Sequence, residues 1–442
     1  MKTIFYFATV IVVFTFFTQQ INAQPIGAYS IQDGAGVGFS PSVIELSGNR
    51  TLLISYSYFG NDSSFVKMVW LDQNMNVISH KEFRLVFALN YLFHAVKCPG
   101  GFLIGGLEYG GSSSRMYIVR TDTAGNVLRY DLCYYNPLWQ EKIIQLIANN
   151  NGSFTGYSSV SNISDAMYRI DGNVADTLFH FKKITPVITN NYFRPLGAID
   201  IDGNGTHLLS GSMHDVAGSN RNAMLLKLDS NQVIWGKSYD YGQTFIEEAF
   251  NVIKLSNGNF AFVGDGVAGT GTYFDGYITV ADATGENVWS RKLSITGGGV
   301  YPKTLLQTAS GDILVFCSTH TYQGAILKFS EAGALLSSTI FTAPGGNTYF
   351  GNSIRRTDNT ILASGVSGAL MIMKLDDNGN GGLKRIRTAV EAFAELCLAA
   401  RPSDLMPANV NDKAVYANHF TSCISFLING DMTISITPAI IA

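Results

Sequence analysis

The chain has 442 residues, of which 46% are hydrophobic and 14% charged, with a formal net charge of −3. Such a composition supplies ample core material, and a near-neutral balance without Lys/Arg runs excludes the basic footprint of a nucleic-acid binder or an anionic-membrane binder. Aromatics at 12% and 45 glycines against 11 prolines favour many short strands joined by tight turns.

Residues 1–23 differ in composition from the rest of the chain. Lys2 gives a short positive start, Ile4 to Phe17 is almost wholly apolar, and Gln19, Gln20 and Asn22 lead to the small Ala23. That order predicts a secretory signal peptide. No cysteine follows the cleavage point, and no later apolar run reaches the roughly 18 to 20 residues that span a bilayer. The mature chain is therefore expected to be secreted, with no membrane span and no lipid anchor at its start.

After the leader, Pro41-Ser-Val-Ile-Glu-Leu46 predicts a first strand, and Tyr29-Ser-Ile-Gln32 predicts a strand able to pair with the last repeat. A short apolar run, usually ending in small residues, then recurs seven times, from Leu52, Phe102, Ser153, His207, Phe260, Ile313 and Ile361. Successive starts differ by 50, 51, 54, 53, 53 and 48 residues. Each run follows a polar turn such as Asn257-Gly-Asn259 and an earlier apolar segment such as Phe250 to Leu255. A third strand ends in an acidic turn at Asp72, Asp122, Asp171, Asp229, Asp282, Glu331 and Asp376, and a fourth segment follows, as in Val233-Ile-Trp-Gly-Lys237. Four hairpin-linked strands per period make one antiparallel sheet, which cannot bury both faces alone. Radial stacking solves this, so the fold class predicted for residues 24–389 is all-β, a seven-bladed β-propeller of four-stranded antiparallel blades. The period fails from about residue 390, leaving residues 390–442 as a short irregular C-terminal tail.

Apolar strand, glycine, loop and then Leu-Asp-x-x-Gly/Asn-x-apolar-Trp-x-Lys resembles a family of secreted bacterial β-propeller repeats. The nearest copies are Leu228-Asp-Ser-Asn-Gln-Val-Ile-Trp-Gly-Lys237 and Ala281-Asp-Ala-Thr-Gly-Glu-Asn-Val-Trp-Ser-Arg291. The resemblance covers roughly residues 38 to 389 and implies a fold, not an activity.

Two motifs look chemical. Gly264-Asp-Gly-Val-Ala-Gly269 matches G-x-G-x-x-G, but residues 270–274 lead to another strand and not to the helix that a dinucleotide site requires. Asp376-Asp-Asn-Gly-Asn-Gly381 copies the opening of a calcium loop, yet position twelve is Arg387 where a bidentate Glu is needed. Both are in phase with the repeat and read as strand connections. The seven histidines, His80, His94, His180, His207, His214, His320 and His419, show no metal-ligand spacing. No metal, no cofactor and no catalytic residue is predicted. Of five cysteines, Cys317 reads as a buried thiol, Cys397 and Cys423 are the best candidates for a bridge, and Cys98 and Cys133 complete an odd count. The sequons at Asn49, Asn61, Asn151, Asn162 and Asn204 matter only in a glycosylating host.

The candidate binding residues lie in the connections leading into each blade's innermost strand: Tyr91, His94, Trp139, Glu141, Tyr192, Arg194, Tyr241, Glu247, Glu248, Tyr301 and Tyr349. Aromatics beside carboxylates can stack on and hydrogen-bond a sugar or peptide. The first expectation is a monomeric, non-enzymatic binding or scaffold module, for polysaccharide or a surface protein. The alternative is an extracellular glycan lyase or hydrolase, which needs Glu247, Glu248, His214 and His320 to converge at the channel mouth. A third reading is an adhesive component of the cell surface.

Overall fold

A computed structural model describes residues 27–31, 36–37, 41–59, 63–84, 89–110, 113–133, 140–149, 151–161, 167–173, 180–184, 191–215, 221–229, 232–241, 246–267, 274–295, 298–341, 347–367 and 370–380. The predicted leader, Trp139, Cys397, Cys423 and the tail lie outside these residues. The chain divides into two compact units, Met1–Arg385 and Ile386–Ala442. Among the described residues the regular elements are all β-strands.

Two short strands, β1 (Gly27–Ile31) and β2 (Gly36–Val37), precede a succession of four-stranded antiparallel groups. The first group is β3 (Ser42–Leu46), β4 (Arg50–Phe59), β5 (Ser63–Leu71) and β6 (Val77–Arg84). The second is β7 (Leu89–Cys98), β8 (Gly101–Gly110), β9 (Ser113–Asp122) and β10 (Val127–Cys133). Next come β11 (Gln140–Ala148), β12 (Ser153–Ser161), β13 (Met167–Asn173) and β14 (His180–Ile184). The fourth is β15 (Asn191–Asp200), β16 (Thr206–Asp215), β17 (Arg221–Asp229) and β18 (Gln232–Tyr239). The fifth is β19 (Ile246–Lys254), β20 (Phe260–Val267), β21 (Phe274–Ala281) and β22 (Asn287–Ile295). The sixth is β23 (Gly298–Gln307), β24 (Ile313–Thr319), β25 (Gly324–Phe329) and β26 (Leu335–Phe341). Last come β27 (Thr348–Arg355), β28 (Ile361–Ser367) and β29 (Leu370–Leu375), whose fourth strand is β1 in antiparallel pairing with β29, Gly27 opposite Lys374 and Ile31 opposite Leu370.

Middle strands are apolar throughout because both of their faces are covered: every residue of β24, β25 and β29 is buried, whereas β26 at the outer edge is exposed along most of its length. Alternate residues serve alternate interfaces. In β9, Tyr117 and Val119 join Leu52, Ile54 and Met68 of the first group, while Met116 and Ile118 pack on Leu146, Phe154 and Ile170 of the third. The last group meets the first through polar contacts: Ser364 Oγ donates to Pro41 O (2.6 Å), and Thr357 Oγ1 donates to Glu45 Oε1 (2.8 Å).

The turn motif also has an inter-group role. In the turns at Asp72, Asp122, Asp282 and Asp376 the aspartate Oδ1 accepts backbone N–H groups two and four residues on, at 2.8–2.9 Å. Glu331 does not open the sixth turn. Ser330 does, accepting the Ala334 N–H (3.0 Å). The turn glycines Gly125, Gly285 and Gly333 have φ of 78–85° and are also covered by the preceding group's tryptophan. A Cβ on them would stand 2.6–2.9 Å from the rings of Trp70, Trp235 and Trp289. Lys81 and Lys237 reach forward likewise, to Asn126 and Glu286. The Gly-x-apolar-Trp-x-Lys pattern therefore encodes contact between neighbouring groups.

Candidate functional site

Tyr241 lies in the connection before β19, as predicted, whereas the other predicted site residues that are described sit inside strands and not in the connections before them. The inner strands of the second to seventh groups begin earlier than the sequence suggests, and each of these six carries a β-bulge, which adds a residue and sharpens the twist. The register skips Phe93 in β7, Ile144 in β11, Leu196 in β15, Phe250 in β19 and Lys303 in β23, and it skips Gly351 and Asn352 in β27. The bulges are in phase. Two residues before each stand Tyr91, Lys142, Arg194, Glu248, Tyr301 and Tyr349, one per inner strand, opposite Leu107, Ser159, Ser212, Asp265, Ser318 and Val366.

Residues of equal phase on neighbouring inner strands touch. One residue after the bulge, the Gln145 side-chain amide lies 3.0 Å from His94 Nε2, and the Thr304 and Ser353 hydroxyls are 2.9 Å apart. At the bulge itself, Lys303 Nζ sits 3.7 Å from the centroid of the Phe250 ring. Two residues before it, Arg194 Nη1 lies 3.2 Å from Glu248 Oε1. Equal phase thus means equal level, and Tyr91, Lys142, Arg194, Glu248, Tyr301 and Tyr349 form one tier of aromatic and charged positions.

The densest chemistry of that tier lies between the fourth and fifth groups. Glu248 is held by two guanidiniums, Arg194 and, from the start of β17, Arg221 Nη1 at 3.3 Å. Backbone pairing puts Tyr192, His214 and Arg221 in one row across the fourth group, so His214 lies in a strand and not in a loop. Asp265, cross-strand from Glu248, is only 5% exposed, and burial pushes its carboxyl up to about 7, aided by the Glu248 charge and opposed by Lys303. Glu247 points elsewhere: it is fully buried, and its Oε1 accepts the Tyr241 N–H (2.9 Å). The rings of Tyr241 and Tyr277 stack at 3.9 Å, and the Tyr277 hydroxyl donates to Glu248 O (2.6 Å). Gly264 leaves room for that phenol, since a Cβ there would meet Tyr277 Oη at 2.4 Å and Glu248 O at 1.8 Å. The first glycine of the G-x-G-x-x-G run therefore serves packing at this site.

His94 is a strut. Leu146 N–H donates to its Nδ1 (3.3 Å), and burial pushes the imidazole down to about 4, keeping it neutral. Tyr349 lies 5.8 Å from the Tyr322 ring, Tyr301 is half-buried, and His320 N–H donates to Gly299 O (3.2 Å) in the sixth group. Tyr91 and Glu141 are placed by strand and register alone. Cys98 and Cys317 are buried free thiols. The carboxylate of Asp376 is occupied by its own turn. Among the described residues no group of three His, Cys, Asp or Glu side chains could hold a metal, and no helix is long and apolar enough to cross a membrane.

Asp265, Arg221 and Lys303 are not singled out by sequence pattern. Asp265 was legible in principle: it is the one charge at a strand position otherwise filled by Leu107, Ser159, Ser212, Ser318 and Val366.

No protein-family model matches the chain, and no curated relative does either. Solved structures do. A PL25 ulvan lyase, a polysaccharide lyase, aligns with a TM-score of 0.54 at 8% identity over 80% of this chain and 96% of its own. A second structure of that lyase, bound to -[GlcA(1-4)Rha3S]-, aligns with the same TM-score over 81% of this chain. A GH93 α-L-arabinofuranosidase of Fusarium graminearum in complex with arabinobiose aligns with a TM-score of 0.45 at 13% identity, covering 64% of this chain and 93% of its own. At these identities the likeness to the lyase is one of fold. The expectation of a non-enzymatic binding or scaffold module is corrected by this finding: the lyase, which shares the fold over most of the chain, is a glycan-cleaving enzyme, and this favours the alternative reading.

Proposed function

We propose that this chain is a secreted glycan-cleaving enzyme, a hydrolase or a lyase, built on a seven-bladed propeller with its reactive end where the fourth, fifth and sixth groups meet. Asp265 carries the reading. Hydrolysis and β-elimination differ in whether water is consumed, but both require a proton for the departing glycosidic oxygen. A carboxyl that stays protonated to about pH 7 meets that need. Glu248, cross-strand from Asp265, supplies the second carboxylate that hydrolysis uses. Arg194 and Arg221 provide the cations that an elimination needs beside an acidic sugar. Tyr301 and Tyr349, at the Glu248 level, offer rings for sugar stacking.

The architecture agrees with this reading. Seven groups, each against the next and the last against the first, suit a propeller whose inner strands surround one channel. The predicted leader at residues 1–23 and the resemblance to secreted bacterial repeats support a substrate outside the cell.

Incubating the purified chain with a panel of neutral and acidic polysaccharides tests the proposal. New reducing ends without unsaturation indicate a hydrolase, and an unsaturated uronate indicates a lyase. Failure to shorten any glycan, neutral or acidic, would leave the binding surface without its chemistry.

A further inference from the structure

Lys303 has no part in the tier of Glu248, yet it breaks the pattern of its own. The other bulge positions hold Phe93, Ile144, Leu196 and Phe250, and the pair Gly351-Asn352 in β27. A bulge redirects one side chain from a strand, and here it brings an ammonium onto the face of Phe250, 3.7 Å from the ring centroid. Phe250 is two residues beyond Glu248, whose cross-strand partner is Asp265. The sixth group's inner strand thus delivers a cation to the flank of the fifth group's carboxylates.

We propose that Lys303 is a positioning residue for Asp265, setting the pH at which that carboxyl releases its proton. The inference rests on the glycan-cleaving reading for its use but not for its test. The charged groups facing Asp265 come from each neighbouring element. Glu248 stands on β19, with Arg194 of β15 and Arg221 of β17 bound to it, Tyr277 is on β21, and Lys303 is on β23. Burial and Glu248 favour the protonated acid, and Lys303 alone is directed against them. The seat on Phe250 holds the ammonium in place against an aromatic face.

The test compares wild type, Lys303→Met and Lys303→Arg in the full chain. The Asp265 carboxyl is titrated by carbon-13 NMR, with its resonance assigned through Asp265→Asn. The methionine variant should raise the midpoint by about one pH unit, the loss of a nearby opposite charge, and the arginine variant should leave it near the wild-type value. Any glycan-cleaving activity should show its basic limb moving upward by the same amount in Lys303→Met. A midpoint that is the same in all three proteins overturns the proposal. So does an equal shift in the methionine and arginine variants, which would mark Lys303 as packing alone. An unshifted titration beside intact turnover refutes Lys303's role and spares the enzyme reading. A shifted titration in a chain that cleaves no glycan does the reverse.

Discussion

With burial holding its proton on up to about pH 7, Asp265 stays protonated in the folded chain where an unfolded aspartate, at about 3.9, has lost its proton. The folded state binds more protons than the unfolded one in that window, so stability falls as pH rises from about 4 to about 7. Asp265→Asn removes the penalty, and denaturant melts at pH 8 should find it more stable than wild type by about 2 kcal/mol. His94 behaves oppositely. Its midpoint is depressed to about 4, so the unfolded chain takes up the extra proton, and the His94 contribution is complete above about pH 6.5 and lost as pH falls toward 4. His94→Leu should flatten the acid limb of a stability–pH curve. Gly264→Ala should cost about 2–3 kcal/mol in the same melts, because its Cβ would displace the Tyr277 phenol. The sequence made Glu248 and Arg194 visible as polar residues near an aromatic, but Asp265 lay hidden in a glycine triplet. Its chemistry comes from burial and from partners far along the chain, which spacing does not encode.

At the level of the element, the repeat was legible because strands and turns recur with it. Asp72, Asp122, Asp282 and Asp376 each fix a hairpin, Gly125, Gly285 and Gly333 each accept a neighbour's ring, and the tryptophan that supplies it belongs to the previous group. Trp235→Ala should cost about 3 kcal/mol, lowering the denaturant midpoint without changing the slope. Ile234→Ala, at a residue 50% exposed on the same strand, should stay within about 0.5 kcal/mol of wild type. The inner-strand bulges were not legible, since the skipped residues Phe93, Ile144, Leu196 and Phe250 are as apolar as their neighbours. Register alone separates them, and register depends on tertiary pairing. That is why most of the predicted connections proved to be strands, the one holding Tyr241 excepted.

For the molecule as a whole, the joining of first and last groups is the long-range event. β1 pairs with β29, and Glu45 takes the Thr357 hydroxyl more than 300 positions away. Deleting residues 24–32 should lower the thermal midpoint while leaving one cooperative transition, because the stacked faces remain and only the joining strand is lost. This pairing was readable from Tyr29-Ser-Ile-Gln32 because a group short of its fourth strand needs one. What the fold does was readable only as the alternative, a glycan lyase or hydrolase with Glu248 among its residues, because the same sheets serve many functions. The most direct measurement is the rate of glycan cleavage by wild type and Asp265→Asn, at equal concentration, across pH 5 to 9. The account predicts cleavage by the wild type that declines above about pH 7 and a loss of about 100-fold or more in the variant at every pH. Equal rates for the two folded proteins would contradict it.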